Sequence, residues 1–291
     1  MKDYLIVSDG TIDLDSDIIK SIDIRVIPMI YIMNGEEHLF DPSLQEFDDQ
    51  AFYNDVNKGI PVSTSQNPPA VFTDFFMELS KECSKILYLC FSSGLSGNYN
   101  SAVLAAEEIM SKKTDLQIKV IDSLCASIGE GMYVREVCRK RDDGADFDEI
   151  CSFAEEIKRD ICHWFVVGNL EQLRRGGRLN AVEAKLGTIL NIHPILTTDK
   201  DGKLKVSKKV RGMKKALNGL VEKFLKYARS GIAHRIIIAH AGCNELAEEL
   251  KNNVMETGRI EECIIQKIGP VIGSHTGSPM CAITFLGIQE E

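Results

Sequence analysis

The chain has 291 residues, 44% hydrophobic and 26% charged, an ordinary globular composition with room for about two domains. A formal net charge of −9 argues against general nucleic-acid binding, which needs a basic face to neutralise phosphates. The longest apolar run, residues 26–33 with Pro28 inside it, falls far short of the roughly 20 residues of a membrane span.

From the N-terminus, residues 4–7 read as a strand and 15–22 as a helix. Residues 25–33 read as a second strand, closed by the hairpin-turn pair Asn34-Gly35. Helical periodicity follows over 48–57 and 69–82, the latter with Val71, Phe72, Phe75, Phe76 and Leu79 on one face. Residues 85–91 are almost wholly apolar, as in a strand buried on both faces. A glycine-serine loop leads to a helix over 99–111, a strand over 117–121 and helices over 127–139 and 146–159. Repeated strand–loop–helix units predict a doubly wound, mostly parallel sheet.

Beyond about residue 160 the pattern changes. Strands are predicted over 164–167, 193–198, 203–210, 235–241, 259–268 and 280–286, with Asp201-Gly202 as a hairpin signal. Helices are predicted over 181–190, 213–229 and 245–256. The expected fold is α/β in two tightly packed domains. An N-terminal α/β domain spans 1–160, and a C-terminal α+β domain with a mainly antiparallel sheet spans 161–291. The short apolar stretch at the start lacks the hydrophobic region of a signal peptide, so a cytoplasmic location is expected. The nine cysteines include no C-x-x-C pair and the histidines do not cluster, so reduced, mostly buried thiols and no metal are expected.

Three loops carry candidate chemistry. In the first, Ser63, Thr64 and Ser65 precede Pro68-Pro69, so Thr64 and Ser65 are expected just ahead of a helix N-terminus; an ordinary cap and turn is the competing reading. The second runs Ser92-Ser93-Gly94-Leu95-Ser96-Gly97 after the buried strand, where ligands bind in open α/β sheets. Its glycines and hydroxyls ahead of a helix suit a carboxylate or phosphate. It is neither a Walker loop nor G-x-G-x-x-G, and its second glycine comes one place too early for G-x-S-x-G. The third, residues 269–278, sets His275 among glycines and hydroxyls, whereas His163, His193, His234 and His240 sit at or beside apparent strands. A structural hydrogen-bonding role for His275 is the alternative. Two basic features remain. Arg174, Arg175 and Arg178 surround Gly176-Gly177, a candidate anion clamp. Residues 203–229 hold ten lysines and arginines against the single acid Glu222, either a solvated face or a docking surface for an acidic partner or anionic membrane.

Taken together these motifs resemble the DegV family, the fatty-acid-binding family that includes the carrier subunits of bacterial fatty acid kinase. The resemblance covers nearly the whole chain. It runs from Ser8-Asp9-Gly10-Thr11-Ile12-Asp13-Leu14, with Gly10 where the family has serine, through Pro28, Thr64-Ser65-Gln66 and the 92–97 loop. It continues through Asp122-Ser123, Ala126-Ser127 and 170–178 to Gly269-Pro270-Val271 and Gly273-Ser274-His275-Thr276-Gly277. Asn98 replaces the usual threonine after S-G, and Ser278-Pro279 replaces P-G.

The resemblance implies a long-chain fatty acid in a tunnel at the domain junction. Its carboxylate would be held by Thr64 and by a serine of the second loop, placed at Ser93 with Ser92 or Ser96 as alternatives, with His275 nearby. Ser65, Gly94, Ser96 and Arg178 complete the expected ligand set. It implies no cofactor besides the bound acid. The protein would be a carrier and not itself an enzyme, presenting the acid to a separate fatty acid kinase for acyl-phosphate formation, with contact to an anionic membrane at most transient. Two other readings stay open: an esterase or acyltransferase using Ser93 and His275, and a module that binds a phosphorylated small molecule.

Overall fold

The computed structural model describes residues 3–44, 46–168, 170–179 and 191–288. The helix expected over 181–190 lies outside them.

Strands β1 (Leu5–Asp9), β2 (Arg25–Ile27), β6 (Lys85–Cys90) and β7 (Gln117–Asp122) form a parallel sheet in the order β2-β1-β6-β7. The two central strands are the most apolar, β1 being buried throughout and β6 everywhere but Lys85. Their side chains alternate between faces. Leu5, Val7, Ile86 and Tyr88 meet Phe72 and Phe76 of α3 (Pro69–Leu79) and Ala102 of α4 (Asn98–Lys112). Ile6, Leu87 and Leu89 face the other way, toward Met132 and Val134 of α5 (Ile128–Asp142).

The expected strand over 25–33 is two strands. Pro28 has no N–H to donate to a ladder, and the chain changes sheets there. Residues 25–27 stay with the parallel sheet, while β3 (Met29–Met33) pairs antiparallel with β4 (Glu36–Phe40) and β5 (Val62–Ser65). Asn34 and Gly35, both at positive φ, make the β3–β4 turn. Between these strands lie α1 (Ser16–Ser21) and α2 (Asp49–Asn57), whose N-cap Asp48 accepts from Ala51 N. Helix α6 (Phe147–Ile157) opens on a capping box between Asp146 and Glu149.

The six-stranded sheet comprises β8 (Ile161–Val167), β9 (Ile192–Thr198), β10 (Leu204–Arg211), β11 (His234–Ala241), β12 (Ile260–Lys267) and β13 (Met280–Leu286), in the order β10-β9-β8-β13-β11-β12. Its pairings are antiparallel except β11–β12, which is parallel. One face, with Trp164, Val166, Ile195 and Ile283, packs with Leu217, Leu220 and Phe224 of α8 (Met213–Tyr227) and Leu250 of α9 (Asn244–Met255). The opposite face, with Val167, Leu196, Ile237 and Ala282, belongs to the same core as Met132, Val134 and Val137 of α5. Helix α5 is therefore shared by both sheets. No residue from 128 to 138 is exposed, which its sequence period could not announce because every side is covered. Two short helices, α7 (Glu171–Arg175) and α10 (Pro270–Thr276), flank the junction. Among the described residues no helix is long and apolar enough to cross a membrane.

The shared helix comes close to its neighbours at glycine. A Cβ on Gly131 would lie 2.6 Å from the Ile12 carbonyl oxygen. Gly131→Ala should therefore lower stability by about 1–3 kcal/mol, the usual cost of overpacking. A urea denaturation midpoint indistinguishable from wild type would refute that account of the packing.

Candidate functional site

Strands β1 and β6 lie side by side, yet the chain leaves them in opposite directions, β1 toward β2 and β6 toward β7. The crevice beyond their carboxyl ends is the topological switch point, where open α/β sheets bind ligands. The Asp9 carboxylate ties the two ends together, accepting from Phe91 N and Tyr88 OH at 3.1 Å each. Against this crevice lies a cavity with about 900 Å³ of empty space, open solvent at its mouth included. Its floor is the inward face of β8 and β13, with Phe165, Met280 and Ala282; Phe91, Leu95 and Ile128 add to an apolar wall.

One end of the cavity holds Thr64, His275 and Arg178. Thr64 stands on β5, which pairs Thr64 with Tyr31 and Ser65 with Ile30. Helix α3 does begin soon after, at Pro69, but Thr64 itself is held in the sheet and not in a cap or turn. Thr64 Oγ1 lies 2.8 Å from His275 Nε2. His275 is not in a loop either, but in the last turn of α10. Pro270 and Gly277, read from sequence as parts of a loop, begin and end this helix, Gly277 having φ +65°. Arg178 donates from Nε to the Leu95 carbonyl at 3.0 Å and from Nη1 to the Gly176 carbonyl at 2.5 Å. It forms no ion pair with a described carboxylate. Thr64, Ser65, Ser96, Arg178 and His275 all line the cavity.

Ser93 and Gly94 do not line it. Ser93 is exposed, its hydroxyl 2.5 Å from Asp122 Oδ2 and its N–H donating to Asp122 Oδ1 at 3.0 Å. The turn after β6 spends this residue on β7, so Ser93 is corrected from carboxylate contact to turn brace. Gly94 serves a close backbone approach, since a Cβ there would lie 2.5 Å from the Asp201 carbonyl oxygen. Ser92 binds the same β9–β10 turn, donating to the Gly202 carbonyl at 2.9 Å. Asn98 accepts from Asn67 N at 2.9 Å and so fixes the segment that follows β5.

Burial governs the titratable groups. It pushes the His275 imidazole down to about 4, with a further push from Arg178. Its Nδ1 is buried against Gly176 with no partner among the described residues. Desolvation lowers the Arg178 guanidinium below its ordinary value. Behind the wall, burial raises the Asp9, Asp13 and Glu130 carboxyls, Asp13 to about 7. Thr11, which lines the cavity, hydrogen-bonds both Asp9 and Glu130. Ser127, also in the lining, donates to Asp13 Oδ2 at 2.5 Å, and Asp13 Oδ1 accepts from Gly269 N at 2.9 Å. Asp13 thus joins the starts of α5 and α10. Thr11, Ser127, His163 and Thr198 are lining residues not singled out as site residues from sequence. Alternation along β8 places His163 on the same face as Phe165 and was the available signal.

The family model described as "Uncharacterised protein, DegV family" matches residues 4–287. The chain belongs to the DegV family. A DegV domain-containing protein of Clostridium perfringens is 38% identical over 291 residues, covering 100% of each chain. Among solved structures, a DegV lipid binding protein from Thermotoga maritima matches with a TM-score of 0.86 at 28% identity, again over 100% of each chain. A DegV family protein from Thermus thermophilus, described for its fatty acid binding, gives a TM-score of 0.88 at 29% identity, covering 99% of this chain and 100% of that one.

The raised Asp13 carboxyl has a definite consequence for stability. A buried acid whose folded-state value rises from 3.8 to about 7 stabilises the fold fully below the lower value. That contribution is lost as pH climbs through the upper one. His163 and His275, both lowered to about 4, act oppositely, losing their contribution as pH falls below about 6.5. Asp13→Asn removes only the first effect. Its stability relative to wild type should rise between pH 5 and 8, by about 2.5 kcal/mol. Urea midpoints that keep a constant difference across that range would contradict the assignment.

Proposed function

We propose that this protein binds a long-chain fatty acid, with the acyl chain in the apolar cavity and the carboxylate at the Thr64–His275–Arg178 end. The observation that carries the reading is a half-buried guanidinium, bonded among the described residues only to carbonyls, beside a hydroxyl–imidazole pair at the end of a cavity with largely apolar walls. Such an end supplies charge-assisted hydrogen bonds to a carboxylate, which is costly to bury without them. Each buried CH₂ then adds about 0.8 kcal/mol, so the chain supplies most of the affinity and the polar end sets orientation. The related proteins described as fatty acid binding, from Thermus thermophilus and, at 26% identity, TM-score 0.84 and 99% and 100% coverage, from Bacillus subtilis, support the same ligand class.

The test is denaturing extraction of the purified protein, with mass spectrometry of the released lipid, beside direct binding of palmitate. Thr64→Ala and Arg178→Ala should weaken palmitate binding roughly ten- to a hundredfold, the loss of about 1.5–3 kcal/mol from a hydrogen bond to a charged group. Ser93→Ala should leave it unchanged. A wild-type protein that neither carries nor takes up fatty acid sinks the proposal, and one that takes up a phosphorylated compound instead establishes the rival module.

The finer proposal is that the bound acid is presented to a separate fatty acid kinase, this chain carrying no Walker-type loop of its own. The docking surface we assign is the basic segment 203–229. Strand β10 is an edge of its sheet and exposes Lys208, Lys209 and Arg211, and the first turn of α8 exposes Lys214 and Lys215. Lys208 lies 3.5 Å from Glu222, leaving the surface strongly positive. With a fatty acid kinase catalytic subunit and ATP, Lys209→Glu/Lys215→Glu should cut acyl-phosphate formation at least tenfold while leaving palmitate binding intact. Undiminished acyl-phosphate formation removes the docking assignment, and loss confined to binding of anionic vesicles reassigns the face to a membrane.

A further inference from the structure

The cavity touches two outer clefts through two separate sets of residues. At one, Thr64, Arg178 and His275 are shared with a cleft that also contains Gln172 and Arg175. At the other, His163 and Thr198 are shared with a cleft bounded by Leu124, Lys158, Lys200 and Ile288. The sheet register shows how the two are related. Val167 pairs with Met280, Phe165 with both Ala282 and Leu196, and His163 with Thr284. The floor therefore runs down β8 from the end near α7 and α10 to His163, about 13 Å at 3.3 Å per residue. The second contact is the tail end.

At that end the apolar lining gives way to a polar crossbar. His163 Nε2 lies 2.6 Å from Thr198 Oγ1. The pair can form in either tautomer, Nε2 accepting from the Thr198 hydroxyl or donating to it. The ring is held in place from behind, since a Cβ on Gly129 of α5 would lie 2.5 Å from Nδ1. His163 is lowered to about 4 by burial, so the bar is uncharged at neutral pH. A mutually satisfied pair at this position needs no polar ligand. It presents a closed wall to a terminal methyl group.

We propose that the His163–Thr198 pair is the stop that sets the longest acyl chain the cavity accepts, and that a longer chain enters only by parting this pair and emerging into the Leu124–Lys158–Lys200 cleft. This rests on the fatty-acid reading above. It goes further by assigning chain-length selection to two residues that no carboxylate contact would pick out.

The experiment is a binding series of saturated fatty acids from twelve to twenty-two carbons, for wild type and Thr198→Ala, with folding checked by thermal denaturation. Wild-type affinity should rise with each CH₂ and then break sharply. In Thr198→Ala the break should move outward by two or more carbons, tightening the first excluded chain about tenfold, the value of two further buried CH₂ groups. His163→Asn, which shortens the bar but keeps a hydrogen-bonding amide, should move it the same way and serves if Thr198→Ala does not fold. A break at the wild-type length in folded variants overturns the inference and leaves fatty-acid binding standing. A wild type that binds no chain of any length overturns both.

Discussion

The structure depends on one buried helix serving two sheets. Helix α5 lies between the parallel sheet and the six-stranded sheet, and residues 128–138 are covered on every side. A helix in that position cannot be amphipathic in the usual sense. Its covered stretch carries Glu130 and Glu136 beside Met132, Val134 and Val137, and glycine stands where neighbours come near, Gly129 against the His163 ring and Gly131 against the Ile12 backbone. Because one continuous core includes Leu87 of one sheet, Val134 of the helix and Ile237 of the other sheet, neither sheet completes its burial alone. The cavity forms where this shared layer begins, and Ala126, Ser127 and Ile128 are part of its wall.

That placement sets up an electrostatic problem, because the same layer holds three buried acids next to a cavity read here as taking an acid. Asp9, Asp13 and Glu130 are all raised, first of all by desolvation. For Asp9 and Glu130 the geometry points the same way. The single hydroxyl hydrogen of Thr11 faces carboxyl oxygens of both Asp9 and Glu130, and one hydrogen cannot serve two carboxylates, so this network holds a proton of its own. A proton held in the Asp9–Thr11–Glu130 network lessens the negative charge beside the cavity, and Asp13 braces the starts of α5 and α10. The one cationic side chain in the described lining, Arg178, stands at the other polar group of the wall, beside His275. Positive charge in the described lining is thus confined to one end, and the remainder of the cavity suits hydrocarbon.

The sheets were legible in the sequence because their strands are short apolar runs punctuated by Asn34-Gly35, Asp201-Gly202 and Pro28. Pro28 was misread in one respect: it divides two strands belonging to different sheets. Strand β5 was hidden by hydroxyl residues, since Ser63, Thr64 and Ser65 carry a turn signal as readily as a strand one. At the site, Thr64, Ser96, Arg178 and His275, singled out from sequence, line one cavity. Ser93 and Ser96 show where such reasoning runs out. Both lie in one hydroxyl-rich loop, and only the path of the turn decides that Ser93 meets Asp122 outside while Ser96 faces in. The tail end was invisible for another reason, since His163 resembles any strand histidine until Thr198 is brought beside it by strand pairing.

The hydroxyl–imidazole pair at the mouth also bears on the hydrolase alternative. Thr64 and His275 are at hydrogen-bonding distance, the spacing a nucleophile and its base require. A working base, however, titrates near the operating pH and is oriented by a third group. His275 is lowered to about 4, and its Nδ1 meets no carboxylate or carbonyl among the described residues. The neighbouring Arg178 makes matters worse for an imidazolium and better for a carboxylate. Ser93, the nucleophile that such an enzyme would use, bonds Asp122 on the outer surface. The arrangement that weakens His275 as a base is the one that suits an anion at rest: a neutral imidazole, a hydroxyl and a fixed cation at the end of an apolar cavity.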